Sequence, residues 1–390
     1  MDHIIIYNER SEEIMVHLGD LRQRFSKLTD RRGRRGRIYP LWYLLTVIFL
    51  AKLSGEHTPE GIAEWIRLRY RVLMGALGAH WRLAPSVETI RRTLAKSVFA
   101  DELEETCRQF LHEQYGGQQA ELVAIDGKTM RGTIPSGSTQ GVHLLSAYLP
   151  EEGITLAQEV VANHENELVA APKLLARLDL RGRIVTGDAM FTQRNLSVQV
   201  TAQGGDYLWF VKENQSTLYE DIQRFFQIPE TRPGWSRPPL PRSIATQWNK
   251  AHGRLEQRTV TAIVDETGYL DWPAAVQVVR IERHTQILRT GKSRQETAYA
   301  ITSAPPERAS SQDLLYFTRL HWGIENGLHY RRDVTLQEDA TLISHPHQAE
   351  VIAILNNLIV GLTSKLGFSN LASALRRFDA AIGFQLGNYL

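Results

Sequence analysis

Hydrophobic and polar positions divide the chain into a helical first part and a second part that mixes strands with helices. Up to about residue 118, apolar residues recur at helical spacing, and Pro40 and Thr58 mark the starts of two helices. Beyond that point, short apolar runs rich in β-branched residues alternate with helical patterns. The pattern predicts strands 121–126, 142–149, 154–162, 183–187 and 206–211, and helices 166–178, 192–203 and 216–226.

Three adjacent strands followed by alternating helices and strands predict an α/β fold of the ribonuclease-H-like type. Such a fold is a mixed sheet flanked by helices, and we expect an all-helical N-terminal domain before it. A proline-rich stretch at 229–243 interrupts the core and leads into a β-rich insertion, predicted as a small sheet, before further helices complete the core. The insertion's predicted strands are 254–264, 275–283 and 296–303, and the predicted domains are 1–118, 119–228, 229–305 and 306–390.

Three acidic residues stand where rigid elements would hold them. Asp126 ends the first strand, Asp188 follows the fourth, and Glu325 lies within a helical stretch. In the predicted fold the first and fourth strands are neighbours, so Asp126 and Asp188 come close together. Singly, each acid could be a turn former or a surface charge. Together, carboxylates converging from rigid elements are suited to a pair of Mg²⁺ ions that act on a phosphodiester.

Another metal site is compatible with the same helical stretch. His321, Glu325 and His329 recur every four residues and could form a zinc-like site on one helix. That arrangement would leave Asp126 and Asp188 without a role. The single cysteine, Cys107, excludes an intramolecular disulfide and any multi-cysteine zinc site.

The composition is that of an ordinary globular protein, with 43% hydrophobic and 23% charged residues. The longest apolar run, 40–53, is too short to span a bilayer and no signal segment precedes it, so we expect a cytoplasmic protein, nucleoid-associated when bound to DNA. The formal net charge of +2 does not indicate a nucleic-acid binder. The charge distribution does indicate a nucleic-acid binder, because eight basic residues lie from Arg22 to Arg37.

Basic side chains elsewhere also stand at positions suited to DNA contacts. The segment 85–96 begins with Ser86 as an N-cap and resembles the second helix of a helix-turn-helix, although simple helix packing would produce the same pattern. The basic stretch at 22–37 could likewise be a solvated arm. The predicted DNA-contacting residues are Arg31, Arg32, Arg34, Arg35, Arg91, Arg92, Lys128, Arg131, Lys212, His252, Arg254, Arg258, His321 and Arg332.

The stretches VAIDGKTMRGT, IVTGDAMFTQ, HGRLEQR and HWGIENGLHYRRDVTLQEDA resemble those of the H-repeat-associated (ISAs-type) insertion-sequence transposases, members of the DDE transposase superfamily. The resemblance extends from about residue 22 to the carboxy terminus. It implies a ribonuclease-H-like catalytic domain, magnesium dependence, and metal ligation by Asp126, Asp188 and Glu325. In more distant cut-and-paste relatives, a basic residue seven positions after the glutamate contacts DNA, and Arg332 holds that position.

The residues and the resemblance together predict a DNA transposase with two Mg²⁺ ions in each active site, for which Mn²⁺ can substitute. Its partners would be double-stranded DNA, as element ends and target, and at least one further copy of the chain. Two alternatives stay open. One is a nuclease that uses the same metal site without strand transfer, and the other is a domesticated transposase that only binds DNA.

Overall fold

The computed structural model describes residues 1–116, 120–162, 165–227, 240–251, 253–341, 343 and 345–387. Its N-terminal part contains a β-hairpin and five helices: β1 (Ile4–Tyr7), β2 (Glu13–Val16), α1 (Leu18–Phe25), α2 (Leu41–Leu53), α3 (Pro59–Leu77), α4 (Val87–Arg92) and α5 (Ala100–Tyr115). The expectation of an all-helical N-terminal domain is therefore wrong. Ile4 and Ile6 are buried on one side of β1, and Ile4 pairs with Val16, so the first apolar run alternates as a strand.

Two helix starts in this part are capped as the sequence predicts. The Thr58 side chain accepts a hydrogen bond from Gly61 N, and the Ser86 side chain accepts one from Thr89 N. The regular helix α4 is shorter than the predicted segment, because the chain continues from Thr93 to Ser97 as a π-helical turn.

The second part of the chain contains nine strands and six helices among the described residues. In chain order they are β3 (Leu122–Met130), β4 (Val142–Leu149), β5 (Ile154–Val161), α6 (Glu167–Ala176), β6 (Ile184–Gly187), α7 (Arg194–Ala202), β7 (Asp206–Val211), α8 (Ser216–Gln227), β8 (Arg242–Ala251), β9 (Arg254–Val264), β10 (Gln277–Ile287), β11 (Ser293–Thr302), α9 (Ser311–Leu320), α10 (Pro346–Lys365) and α11 (Leu371–Gly387).

All nine strands belong to one mixed sheet in the order β5-β4-β3-β6-β7-β11-β10-β9-β8. As expected, β3 and β6 are neighbours, and they run parallel with Val123 opposite Val185. The expectation of a small sheet for the insertion is wrong, since β11 pairs with β7 and the insertion extends the main sheet. The sequence also missed β8, an edge strand whose mostly exposed side chains produce no hydrophobic alternation.

Helices cover both faces of the sheet, and successive residues of each strand alternate between the two faces. Val123 and Ile125 pack in the core beneath α6, α7 and α8. Leu122 and Ile184 pack in the core beneath α9 on the opposite face. Because the side-chain period of a strand is two, the strand residues that follow Leu122 and Ile184 at even spacing point toward the α9 face.

Helix α10 connects the sheet with the N-terminal helices. Its residues from Gln348 to Thr363 are buried with few exceptions, and it packs against α5 and β5. Glu104 of α5 also accepts a hydrogen bond of 2.8 Å from Gln158 N of β5. Within the described ranges, no helix is both long and apolar enough to cross a bilayer.

Candidate functional site

Asp126 lies in the middle of β3 and not at its end as predicted, because pairing with β4 continues the strand to Met130. Asp188 directly follows the adjacent parallel strand β6. Ala124 of β3 is the partner of Thr186 of β6, and each aspartate stands two residues further along its own strand. Both carboxylates therefore point toward the α9 face. The Asp188 side chain accepts a hydrogen bond of 2.9 Å from Met190 N, which holds it at the start of a short helical turn.

Glu325 approaches this edge on a π-helical turn that follows α9. The turn spans Glu325–His329, so the helix that carries Glu325 is not a continuous α-helix. A side chain at Gly327 would overlap the hydroxyl oxygen of Tyr148 on β4, and glycine therefore lets the turn approach the sheet closely.

The turn brings Glu325 and His329 together with Asp126. One possible ligand atom of each of these three residues lies within 4.8 Å of the others. Asp126 and Glu325 are thus brought together as expected, whereas Asp188 lies on the adjacent strand, outside this closest group. The sequence offered His329 only in the alternative zinc-like site with His321 and Glu325, and the structure places it beside Asp126 as well as Glu325.

His321 lies beneath the same edge and is only 4% exposed. Its Nδ1 is 3.3 Å from the Thr186 hydroxyl, and its ring packs against Phe210. Burial lowers the pKa of His321 to about 4, although Asp126 and Asp188 oppose this shift. The imidazole is therefore neutral at physiological pH. The side chain is enclosed in this structure, and its contact with phosphate stays a prediction. The acidic group that could hold a metal consists of Asp126, Glu325 and His329, so His321 is not part of it as the one-helix zinc site would require.

Two other predicted DNA contacts are also buried. Arg332 has no exposed surface, and its Nε donates to both carboxylate oxygens of Glu338 at 2.8 and 2.9 Å. Lys128 is 7% exposed and forms ion pairs with Asp333, Glu338 and Asp339. Both cations neutralise acids inside the protein, and DNA contacts by Arg332 and Lys128 stay predictions.

The buried carboxylate of Glu338 is stabilised as an ion by these neighbours. Burial alone would raise the pKa of Glu338, but the charges of Arg332 and Lys128 hold it below the ordinary value. Asn356 adds a donated hydrogen bond of 2.6 Å. The π-helical turns explain the direction of Arg332, since each residue turns the chain less than in an α-helix and the seventh residue no longer returns to the face of Glu325.

The remaining predicted DNA contacts lie at the surface, and several are engaged within the protein. Arg31 stacks on Phe99, with 4.5 Å between the guanidinium and the ring centroid. The guanidinium of Arg32 pairs with Asp30, and that of Arg258 pairs with Glu256. Arg91 and Arg92 form surface ion pairs with Glu60 and Glu88 respectively. The residues Arg34, Arg35, Arg131, Lys212 and Arg254 are exposed.

His252 lies outside the described residues. Lys212 follows β7 and lines a groove with Asp188 and Asn214 beside the acidic edge. The Asn214 side chain donates a hydrogen bond of 2.8 Å to Ala189 O, which ties the loop after β7 to the loop after β6. The groove therefore presents a cation next to the Asp188 carboxylate.

Glu167, which the sequence analysis did not single out, lies close to the residue after Asp126 on β3. A side chain at Gly127 would overlap the Glu167 carboxylate. His143 connects this acid to β3, because its Nε2 is 2.7 Å from Glu167 Oε1 and its Nδ1 is 2.7 Å from the Thr129 hydroxyl. The sequence shows Glu167 only as an acidic residue at the start of a helix, and no sequence pattern indicates that it lies near Asp126.

Comparison with known proteins gives consistent matches along the chain. The family model of the transposase DDE domain matches residues 117–362, and a model of the DDE_Tnp_1-associated region matches residues 22–111. YbfL of Escherichia coli (strain K12) is 27% identical over 354 residues, which cover 89% of this chain and 91% of YbfL. YhhI of the same strain, named as an H repeat-associated candidate transposase, is 28% identical with the same coverage.

A solved structure also overlays on the chain. The cryo-EM structure of a piggyBac transposase synaptic complex with hairpin DNA covers 95% of this chain and 79% of its own, at a TM-score of 0.44 and 10% identity. The likeness is loose.

Proposed function

This chain belongs to the DDE transposase family, and on that premise we propose that it cuts DNA at the ends of its own mobile element and joins the freed 3′ ends to target DNA. One observation supports this most directly. Asp126 within β3 and Asp188 directly after β6 stand on adjacent parallel strands, and a turn brings Glu325 to the same face. We assign these three acids to catalysis.

The proposed core is ribonuclease-H-like. Three antiparallel strands, β5, β4 and β3, continue into the parallel pair β6 and β7, with helices on both faces. This is the strand arrangement expected for that fold, and it presents strand-end side chains at one edge.

The residues at this edge fit a divalent metal ion. Carboxylate oxygens of Asp126 and Glu325 lie close to a buried imidazole, which is a donor set used for divalent cations. We propose that Asp126, Asp188 and Glu325 hold two Mg²⁺ ions, for which Mn²⁺ can substitute. Bound there, such ions supply a Lewis acid for the attacking and leaving oxygens of a phosphodiester.

The surrounding exposed cations would position the DNA. Lys212 beside Asp188 and Arg131 beyond β3 flank the acidic edge and can contact backbone phosphates without reading sequence. We propose that the N-terminal helical part, with its exposed Arg34 and Arg35, binds the terminal repeats. Holding two element ends at once requires at least a dimer.

The test is cleavage and joining of a labelled double-stranded DNA that carries the element ends, in the presence of Mg²⁺. The variants Asp126→Asn, Asp188→Asn and Glu325→Gln should each lose at least about 100-fold in cleavage rate while they retain end binding. Glu121→Gln is the matched control, because Glu121 precedes β3 at the opposite edge and pairs with Arg308. It should cleave at the wild-type rate.

The products separate the alternatives. Cleaved ends that are never joined would identify a nuclease, and end binding without cleavage by the unmodified protein would identify a DNA-binding protein. Cleavage that persists in Asp188→Asn would refute the assignment of the acids.

A further inference from the structure

We propose that His329 is a direct ligand of the divalent ion held by Asp126 and Glu325, so that one position of the site is an imidazole nitrogen. This inference rests on the proposed function, because it requires a metal ion at the acidic edge. It adds a residue type to a site otherwise made of carboxylates, and it changes the class of ion that the site prefers.

The first observation is that His329 is buried without a hydrogen-bond partner. The side chain is 4% exposed, and neither ring nitrogen makes a hydrogen bond within the part of the chain that the structure describes. A buried polar group without a partner loses its hydration with nothing to replace it, so buried groups of this kind usually have a partner. Two partly buried histidines do have partners, since His143 contacts Glu167 and His347 contacts Val98 O at 2.9 Å. The buried Nδ1 of His57 has none, but among the described histidines only His329 has both ring nitrogens buried and unpaired.

The second observation is the direction in which the ring points. Nε2 of His329 lies 3.4 Å from Oδ2 of Asp126, and Glu325 completes a group whose ligand atoms lie within 4.8 Å of one another. Two ligands of one ion, each about 2.1 Å from it, lie roughly 3 to 3.4 Å apart. The distance between His329 and Asp126 thus suits shared ligation better than a direct hydrogen bond, whose usual length is about 2.9 Å.

The third observation is that the fold holds this geometry rigidly. Glu325 and His329 are the first and last residues of one π-helical turn, so a single backbone unit carries both. Gly327 between them lets the turn approach Tyr148 of β4. By contrast, His321 already has the Thr186 hydroxyl beside its Nδ1.

An imidazole ligand has a chemical consequence. It replaces a hard, negatively charged oxygen with a neutral nitrogen, which favours transition-metal ions over Mg²⁺. The site should therefore bind Mn²⁺ more tightly than Mg²⁺, and His329→Gln should reduce this preference.

The experiment uses the full-length protein with Mn²⁺ alone as the probe, and pulsed EPR to detect nitrogen coupled to the ion. The unmodified protein should show a ¹⁴N coupling that becomes a ¹⁵N coupling when histidine is ¹⁵N-labelled. This measurement needs no variant, so it holds even if a substitution prevents folding.

Variants then identify the residue. In His329→Gln the coupling should disappear and the dissociation constant for Mn²⁺ should rise at least about 10-fold. In the matched control His321→Gln, which removes another buried histidine at the same edge, the nitrogen coupling should remain. Loss of the coupling in His321→Gln, or its persistence in His329→Gln, would overturn the assignment.

Asp126→Asn distinguishes failure of this inference from failure of the proposed function. Mn²⁺ binding that depends on Asp126 but shows no nitrogen coupling would refute ligation by His329 and leave the carboxylate site standing. Mn²⁺ binding that is absent, or that is unchanged in Asp126→Asn, would refute the proposed metal site and this inference with it.

Discussion

At the scale of single residues, the buried pair of Arg332 and Glu338 is the most consequential feature outside the acidic edge. Both side chains have no exposed surface, and Lys128 and Asn356 also contact the Glu338 carboxylate. A buried charge is tolerated only when its partners are present, because the interior solvates an isolated ion poorly. The pair therefore acts on stability, and it supports the turn that carries Glu325 and His329.

Arg332→Met should lower the free energy of unfolding by about 3 kcal/mol, because it leaves the buried Glu338 carboxylate without its closest cation. We expect the lower end of the usual range since Lys128 remains 3.4 Å from Glu338. Urea unfolding followed by tryptophan fluorescence measures the change. Arg181→Met removes an exposed ion pair with Asp179 and should leave the free energy of unfolding almost unchanged. A loss in Arg332→Met as small as in this control would contradict a structural role.

At the scale of elements, the two-residue period of the strands decides which side chains meet at the site. Leu122 and Ile184 pack beneath α9, and the same face continues to Asp126 and Asp188. A shift of one residue in the pairing of β3 with β6 would turn one aspartate toward the opposite face. Burial of the apolar strand residues therefore places the carboxylates.

Helix α2 shows the opposite situation, a helix buried on every side that contains a charged residue. Lys52 is 1% exposed, and burial lowers its pKa to about 8, although Glu338 opposes the shift. Because the folded state disfavours the charged amine, the unfolded state binds more protons between about pH 8 and 10.5. Stability contributed by this group should therefore rise with pH across that window.

Lys52→Met should raise the free energy of unfolding at pH 7 by about 1 to 3 kcal/mol, since it removes a buried charge and keeps the aliphatic volume. The gain should shrink at pH 9.5, where the wild-type amine is largely neutral when folded. Thermal and urea unfolding at both pH values provide the measurement. The exposed Lys27 supplies the control, and Lys27→Met should change stability little at either pH. A destabilised Lys52→Met protein would show that the Lys52 charge stabilises the fold.

At the scale of the whole molecule, the N-terminal helices and the sheet share one hydrophobic core through α10. This core includes Phe110 of α5, Leu355 of α10 and Leu144 of β4. The parts proposed to hold DNA ends and to cut them are thus joined by continuous packing.

The exposed arm arginines should contribute to DNA affinity through release of counterions. The double variant Arg34→Ala/Arg35→Ala should reduce the slope of log affinity against log salt by about 1.8, at about 0.9 for each phosphate contact. Titrations of labelled element-end DNA at several salt concentrations measure the slope. Arg181→Ala/Arg183→Ala removes the same charge at the amino end of β6 and should leave it unchanged. Equal effects of the two double variants would exclude a specific role for the arm.

Local pattern was sufficient to predict most of the sheet and the acids at its edge. Strands such as 142–149 and 206–211 were predicted with the bounds that the structure has, because alternating or continuous burial leaves a direct trace in the sequence. The hairpin of β1 and β2 and the edge strand β8 show weaker hydrophobic alternation in the sequence, so the pattern did not predict them. Short strands with few buried residues depend on their neighbours for stability.

By itself the sequence determined the family, the order of most elements, and the two strands that place Asp126 and Asp188, since these follow from residue type and period. Tertiary structure decided which charged residues are buried. Lys128 and Arg332 look like surface cations until Glu338 is brought beside them, and only the π-helical turn sets His329 beside Asp126. Contacts between residues distant in the chain depend on how whole elements pack, and local pattern does not encode that packing.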